Sequence, residues 1–342
     1  MKAAVYRGSH VPLSIEEVPT PEPGEHGLLL RVRACGVCGS DLHAIQHGLP
    51  EPGGILGHEF AGEVAGVGAG VEGEWSLGDR AFSLPQVTCG ACPACLRGDS
   101  EACAHIRPLG ALRPGDLPGA YAELVAVSAR DSLRLPADLD YGLAALIEPL
   151  STGLKAFRAA QLPPRGSALV IGAGPIGLAI THWARFFGAG HVVVSERANG
   201  RMKLANALGA THVIDADRIG DPVAEFERVA GRAPDVVFEA VGVPGMIQRC
   251  IEIAPRRGLV VVAGVCMEAD EIQPLLAILK EIRLSFVLGY SIDDCRFTLE
   301  MMRAGRIDPG AMITVRVSLD ELPEAFEALK RPTHQCKVMV TA

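Results

Sequence analysis

Four cysteines fall within a short stretch, Cys89-Gly-Ala-Cys92-Pro-Ala-Cys95 and then Cys103, a C-x2-C-x2-C-x7-C pattern. Thiolates this close in sequence can form a tetrahedron around a zinc ion, and a shell of four sulfurs leaves no coordination position open. Such a site is structural rather than catalytic. An iron–sulfur cluster uses the same donors and is the alternative. The chain carries 10 cysteines in all. Clustered thiols with no ion between them, on a loop rich in Gly and Pro, would be prone to oxidation.

A second set of metal-capable donors is dispersed. Gly36-Val-Cys38-Gly-Ser40-Asp-Leu-His43 offers a thiolate, a hydroxyl and an imidazole. Gly57-His58-Glu59-Phe-Ala-Gly62 offers an imidazole and a carboxylate, and Glu148-Pro-Leu-Ser151 a further carboxylate. No piece alone specifies chemistry: His58 could be a satisfied core histidine, and Glu148 could cap the helix that follows. Cys35 stands three residues before Cys38, faces no paired motif and reads as core.

The third constellation is Ala168-Leu-Val-Ile-Gly172-Ala-Gly174-Pro175-Ile176-Gly177-Leu-Ala179. An apolar strand runs into G-x-G-x-x-G, and an apolar helix follows from Ile176 to about Phe187. A second apolar run, His191–Val194, ends in Ser195-Glu196. Strand, glycine turn, helix, strand and acid form the first unit of a dinucleotide-binding sheet. Gly172 permits the tight turn, Gly174 the approach of a pyrophosphate, and Gly177 close packing of helix on strand. The helix N-terminus supplies free N–H groups and partial positive charge.

These groups need two kinds of scaffold. Residues 1 to about 150 read as mostly β, with strands at Met1–Tyr6, Gly27–Ala34, Glu63–Gly68 and Ala120–Val127 between Gly/Pro clusters. From Ala168 strands alternate with helices. Strands are expected at Val192–Ser195, His212–Ile214, Asp235–Glu239, Gly258–Ala263 and Leu284–Leu288, and helices at Arg201–Leu208 and Pro244–Ile253. That pattern describes a doubly wound parallel sheet covered on both faces, so the fold class is α/β plus mostly-β. A helix at Asp293–Ala304, a strand at Met312–Val317, a helix at Leu319–Leu329 and a strand at Lys337–Val340 close the chain. These last strands have no place in the parallel sheet. The expected domains are therefore 1–150, with a cysteine lobe at about 85–110, then an inserted 151–289, then 290–342 returning to the first.

The 342 residues give a net charge of -8, with 49% hydrophobic and 21% charged residues, values ordinary for a globular protein. Such a charge argues against a nucleic-acid partner. The opening Met1-Lys-Ala-Ala-Val-Tyr lacks the apolar core of a signal peptide, and no apolar run reaches membrane-span length, so a cytoplasmic protein is expected.

The motifs also occur together in a family order. Gly57-His58-Glu59-x2-Gly62-x5-Gly68-x2-Val71 resembles the zinc-site signature of the medium-chain dehydrogenase/reductase superfamily. So do G-V-C-G-S-D-L-H at 36–43, Gly78-Asp79-Arg80, the cysteine lobe, Glu148-Pro-Leu and the glycine turn. The resemblance covers nearly the whole chain. Glu148-Pro-Leu-Ser is similar to the polyol and secondary-alcohol branch of sorbitol, threonine and butanediol dehydrogenases; liver-type alcohol dehydrogenases have cysteine there. The resemblance implies a GroES-like β-barrel catalytic domain joined to a Rossmann domain, with two zinc ions per chain, one catalytic and one structural. It implies Cys38 and His58 as ligands of the catalytic zinc, Glu59 as ligand or exchanging neighbour, and Glu148 close to the metal directly or through water. Zinc would activate a bound alcohol oxygen, Ser40 would link that oxygen to the cofactor ribose, and His43 would pass the proton to solvent.

Glu196 lies 19 residues after Gly177 and 24 after Gly172. A carboxylate there accepts from ribose hydroxyls and repels a 2′-phosphate, which favours NAD over NADP. Arg197 and Arg201 pull the other way, because arginines there could bind that phosphate. Glu239-Ala-Val241-Gly242 and Gly264-Val265 are expected to line the nicotinamide half of the cleft.

The reading is thus a zinc-dependent, NAD-linked dehydrogenase of a secondary alcohol or polyol. The alternatives are a zinc-free NAD(P)H-dependent reductase of enones or quinones with the same fold, and a non-catalytic nucleotide-binding sensor. The substrate pocket is expected from Ile45–Leu49, Phe60, Leu109–Leu117 and Leu288–Ile292. Relatives pair as dimers or tetramers, and the apolar strand Leu284–Leu288 is the candidate edge.

Overall fold

The computed structural model describes all residues except 72, 112–114, 331–334 and 342. Residues 112–114, part of the expected pocket segment Leu109–Leu117, lie outside the described residues. The chain divides into two compact units. One is built from Met1–Glu148 and the chain from Ser291 onward, and the other from Pro149–Tyr290, which Gln335 and Cys336 also join.

The first unit is built on a seven-stranded sheet. Its path runs Ile313–Val317, Lys337–Thr341, Gly27–Gly36, Glu59–Val67, Arg80–Ser83, Ser132–Arg134, and Leu124–Ser128 pairs off this path with Gly27–Gly36. Gly27–Gly36 alternates as a half-buried strand should: Leu28, Leu30, Val32 and Ala34 are buried while Arg31 and Arg33 are not. Leu28, Leu30 and Val32 pack with Leu56, Phe60, Tyr121 and Phe326 in one core. The closing strands complete this sheet. Ile313–Val317 runs parallel to Lys337–Thr341, which lies antiparallel to Gly27–Gly36 with Met339 opposite Gly36. That register brings Lys337 level with the residues just beyond Gly36.

Several boundaries differ from expectation for local reasons. The strand expected at Glu63–Gly68 begins at Glu59, because the ladder with Gly27–Gly36 continues to the Gly36–Glu59 pair. Ala120–Val127 is strand only over Leu124–Ser128, although Ala122 still bridges Ala3. The helix expected from Leu319 starts at Leu322, after a turn in which Ser318 and Glu321 bond each other's backbone amides.

The second unit is a six-stranded parallel sheet in the order His212–Asp215, His191–Glu196, Ser167–Ile171, Val236–Glu239, Leu259–Val262, Arg283–Phe286. The central strand, Ser-Ala-Leu-Val-Ile, is buried at every residue, as a strand covered on both faces must be. After His212–Asp215 the chain returns to the other side of this strand, which makes its C-terminal end the switch point where ligands of such sheets bind. Among the described residues no helix is long and apolar enough to cross a membrane.

Candidate metal centres and nucleotide turn

The fold brings Cys38, His58 and Glu59 together, with one ligand atom of each within 4.8 Å of the others. Cys38 is the N-cap of the helix Gly39–Gln46. His58 and Glu59 sit at the head of the strand that pairs with Gly36. Behind the His58 ring lies a buried charge: Nδ1 is 3.2 Å from Asp41 Oδ1, an ion-pair distance at which, among the described residues, neither atom completes a hydrogen bond. Asp41 is fully buried, and the Tyr121 hydroxyl donates to its other oxygen at 2.5 Å. A proton on Nδ1 leaves the Nε2 lone pair free on the other side of the ring, where Ser40 Oγ is 3.4 Å away. Burial disfavours the imidazolium, yet Asp41 and Cys38 outweigh it and carry the His58 pKa well above its ordinary value.

Glu59 is held from one side only. Lys337 donates from Nζ to Glu59 Oε1 at 2.5 Å and to the Val37 carbonyl at 3.1 Å. Burial works against the ammonium, but attraction to Glu59 and Cys38, with a contribution from Glu148, raises its pKa. Glu59 Oε2 is buried and, among the described residues, has no hydrogen-bond partner. A Cβ on Gly36 would stand 2.1 Å from that oxygen, so only glycine leaves room for the carboxylate. An unsatisfied carboxylate oxygen beside a thiolate and an imidazole is the arrangement that a divalent cation completes, and a sulfur, nitrogen and oxygen set suits zinc.

The other expected residues fall as follows. Ser40 and His43 share the helix that Cys38 caps, both half-buried. Glu148 is buried in the first turn of the helix Ile147–Ala159 and is not one of the three converging ligands. Phe60 and Ile45, expected to shape the substrate pocket, are buried in the core at 0% and 2% exposure and offer no face to a substrate. Asp41, Tyr121 and Lys337 were not singled out from the sequence. Asp41 lies within the Cys38–His43 motif, and a lysine opening the otherwise apolar Val338-Met-Val340 was a readable sign of a buried counter-charge. Tyr121 gave no local sign.

The four lobe cysteines also converge, with ligand atoms within 4.8 Å of one another. Cys89 Sγ is 3.6 Å from Cys103 Sγ and 3.9 Å from Cys95 Sγ. Backbone N–H groups of Cys92, Cys89 and His105 donate to these sulfurs at 3.4 Å. Amides of Cys95 and Ala104 bring the Cys92 thiol down to about 6. Desolvation, then Cys103 and Cys92, push Cys95 up to about 12. Adjacent sulfurs cannot all ionise without a cation among them, so the lobe is prepared for one. Antiparallel Gln86–Val87 and Arg107–Pro108 pair within the lobe.

The glycine turn is built for an anion. Gly172 has φ +97°, and a Cβ on Gly177 would lie 2.0 Å from the Gly172 carbonyl oxygen, so the helix Pro175–Phe186 packs where only glycine fits. Gly174 is the N-cap, offers no side-chain cap, and has open space where its Cβ would be. No side chain caps the first amides of this 12-residue helix, in whose first turn Pro175 and Ile176 stand, an arrangement that suits an anion. Glu196, at the end of the next strand, accepts at Oε2 from Ala173 N at 2.8 Å and at Oε1 from Arg197 N and Ala198 N at 2.7 and 2.9 Å. Arg197 pairs with Asp217, and Arg201 Nε donates to the Gln335 carbonyl at 3.2 Å. Val241 and Val265 are 40% and 41% exposed beyond the ends of two neighbouring strands. Glu239, expected to line this region, is buried instead and accepts from the amides of Val241 and Gly242, so it shapes the loop.

Residues 24–137 match the alcohol dehydrogenase GroES-like domain and residues 175–304 the zinc-binding dehydrogenase domain. Sorbitol dehydrogenase of Bacillus subtilis is 33% identical over 350 residues, spanning 99% of this chain and 97% of that protein. The alcohol dehydrogenase of Thermus sp. ATN1 superposes with a TM-score of 0.91 at 30% identity, each chain covered to 100%. A zinc-binding dehydrogenase from Sinorhizobium meliloti 1021, solved with NADP bound, superposes with a TM-score of 0.86 at 30% identity, covering 100% of this chain and 99% of that one. The chain therefore belongs to the zinc-containing medium-chain dehydrogenase/reductase family, whose members with these two domains are oxidoreductases.

Proposed function

We propose that this enzyme moves a hydride between NAD and a secondary alcohol or polyol, interconverting it with the matching ketone. The observation that carries the reading is the unsatisfied Glu59 Oε2 beside Cys38 and His58. In this reading Cys38, His58 and Glu59 hold a catalytic zinc, and Cys89, Cys92, Cys95 and Cys103 a structural one. The first unit is the catalytic domain, and the second is the NAD-binding domain. When bound, the catalytic zinc supplies Lewis acidity toward the substrate oxygen, and the nicotinamide accepts or donates the hydride.

The chain supplies what surrounds that chemistry. Asp41, held by Tyr121, keeps the His58 proton on Nδ1 so that Nε2 can serve as a ligand. Lys337 occupies one Glu59 oxygen and directs the other inward. Ser40, 3.4 Å from His58 Nε2, is placed to take the alcohol proton, and His43 hands it to solvent. Glu148 adds negative charge near the same shell, acting directly or through water. Gly172, Gly174, Pro175, Ile176 and Gly177 seat the pyrophosphate, Glu196 takes the ribose hydroxyls, and Val241 and Val265 contact the nicotinamide half. Sorbitol dehydrogenase is among the relatives, which supports a substrate of the polyol or secondary-alcohol class.

The strand Arg283–Phe286 is the outer strand of its sheet, with Phe286 67% and Leu288 76% exposed. Pairing of two copies along this edge, giving a homodimer or tetramer, would cover it. The cysteines are read as metal ligands or buried thiols rather than disulfides, which suits a reducing cytoplasm.

The test is NADH formation, read by absorbance, across secondary alcohols, diols and polyols. Turnover by the wild-type chain that His58→Ala abolishes supports the reading. Reduction of activated alkenes by both proteins alike, with no alcohol oxidised, would replace it with the zinc-free reductase.

A further inference from the structure

We infer that Asp217 is a second determinant of cofactor choice, acting by engaging the Arg197 guanidinium beside the ribose-binding carboxylate. The inference rests on the NAD reading of Glu196 and deepens it. Glu196 ends one strand, and Asp215 stands in register with it on the next. The Ala216 amide donates to the Glu196 carbonyl at 3.0 Å, and Asp217 follows. One end of two adjacent strands thus gathers three carboxylates, Glu196, Asp215 and Asp217, with three arginines, Arg197, Arg201 and Arg218.

Each arginine in that corner is already engaged. Arg218 Nε lies 3.1 Å from Asp215 Oδ2, Arg197 Nε lies 2.6 Å from Asp217 Oδ1, and Arg201 Nε donates to the Gln335 carbonyl. The Glu196 carboxylate is meanwhile steadied by three backbone amides. The corner therefore offers acceptors, which suits a free 2′-hydroxyl, and withholds the guanidinium groups that a 2′-phosphate requires. Asp217 acts on the phosphorylated cofactor by occupying Arg197. Arg197 is 78% and Asp217 54% exposed, so water competes with the pair and its effect is a bias of a few-fold.

The full-length protein titrated with NADH and with NADPH, following nicotinamide fluorescence at low ionic strength, tests this. Asp217→Asn should tighten NADPH by about 2–5-fold and leave NADH within twofold, the size expected of an exposed pair. Asp217→Glu should behave as wild type, and Arg197→Ala should erase the gain in the double variant. The gain should grow in a Glu196→Ala background. An unchanged NADPH affinity in Asp217→Asn, an equal shift for both cofactors, or a gain that survives Arg197→Ala would overturn the inference. A wild-type protein preferring NADPH, with Asp217→Asn tightening NADPH further, would overturn the NAD reading and still support the role of Asp217.

Discussion

Lys337 and Glu59 are 278 positions apart in the chain, yet Nζ and Oε1 are 2.5 Å apart, each side chain only 1% exposed. The strand Lys337–Thr341 thus carries the counter-charge for a carboxylate at the candidate metal centre. Removing one partner of a buried pair leaves an uncompensated charge. Lys337→Met should therefore cost roughly 3–5 kcal/mol of stability, read by urea unfolding of the metal-free protein. The double variant Lys337→Met/Glu59→Gln should recover most of it. A single variant within about 1 kcal/mol of wild type would show that the pair does not form in solution.

Asp41 meets His58 at 3.2 Å and Tyr121 at 2.5 Å. Carboxylates behind a ligating histidine typically govern metal affinity by about 10–100-fold. Asp41→Asn should weaken zinc binding by that order in competition with a chromophoric chelator, and Tyr121→Phe should weaken it less. Equal affinity in all three proteins would remove Asp41 from the site.

The two donor sets read as metal centres and the glycine turn were legible from sequence because their residues are clustered or sit in short motifs. The alternation of strand and helix after Ala168 likewise announced the parallel sheet. What the sequence left hidden depends on long-range register. Lys337 meets Glu59 only because Lys337–Thr341 pairs antiparallel with Gly27–Gly36, and Tyr121 reaches Asp41 from 80 residues away. Phe60 was misplaced for a related reason. It follows His58 and Glu59 directly, but strand alternation and the shared core turn its ring inward.

Gly177→Ala tests the nucleotide turn. The added methyl would meet the Gly172 carbonyl oxygen at 2.0 Å, which forces the helix off the strand. Nucleotide affinity should fall at least tenfold, a loss of about 1.4 kcal/mol, while zinc content stays unchanged. Undiminished NADH binding by fluorescence titration would refute this use of the turn.

The open sheet edge predicts assembly. Phe286→Asp should shift sedimentation toward the monomer, because a charge on an exposed apolar edge opposes strand pairing. An unchanged profile would exclude this interface.

Tyr141 donates to Glu63 at 2.8 Å, and desolvation, then this bond, raise its pKa from 10.0 to about 12. A raised pKa contributes stability that is complete below pH 10 and is lost as pH climbs through 12. Glu63→Gln should bring one tyrosinate transition back toward 10 in an ultraviolet titration. If it remains near 12, desolvation alone holds the shift and the Glu63 bond contributes none of it.

In the proposed function this chain holds a catalytic metal at Cys38, His58 and Glu59, apart from the one in its cysteine lobe. Zinc per chain, measured on purified wild type, Cys38→Ser and Cys92→Ser, tests it most directly. Two ions are expected in the wild type and one in Cys38→Ser, the remaining ion being the one that Cys92→Ser loses. A single ion that survives Cys38→Ser and disappears with Cys92→Ser would mean that the first site holds no metal, and would contradict the account.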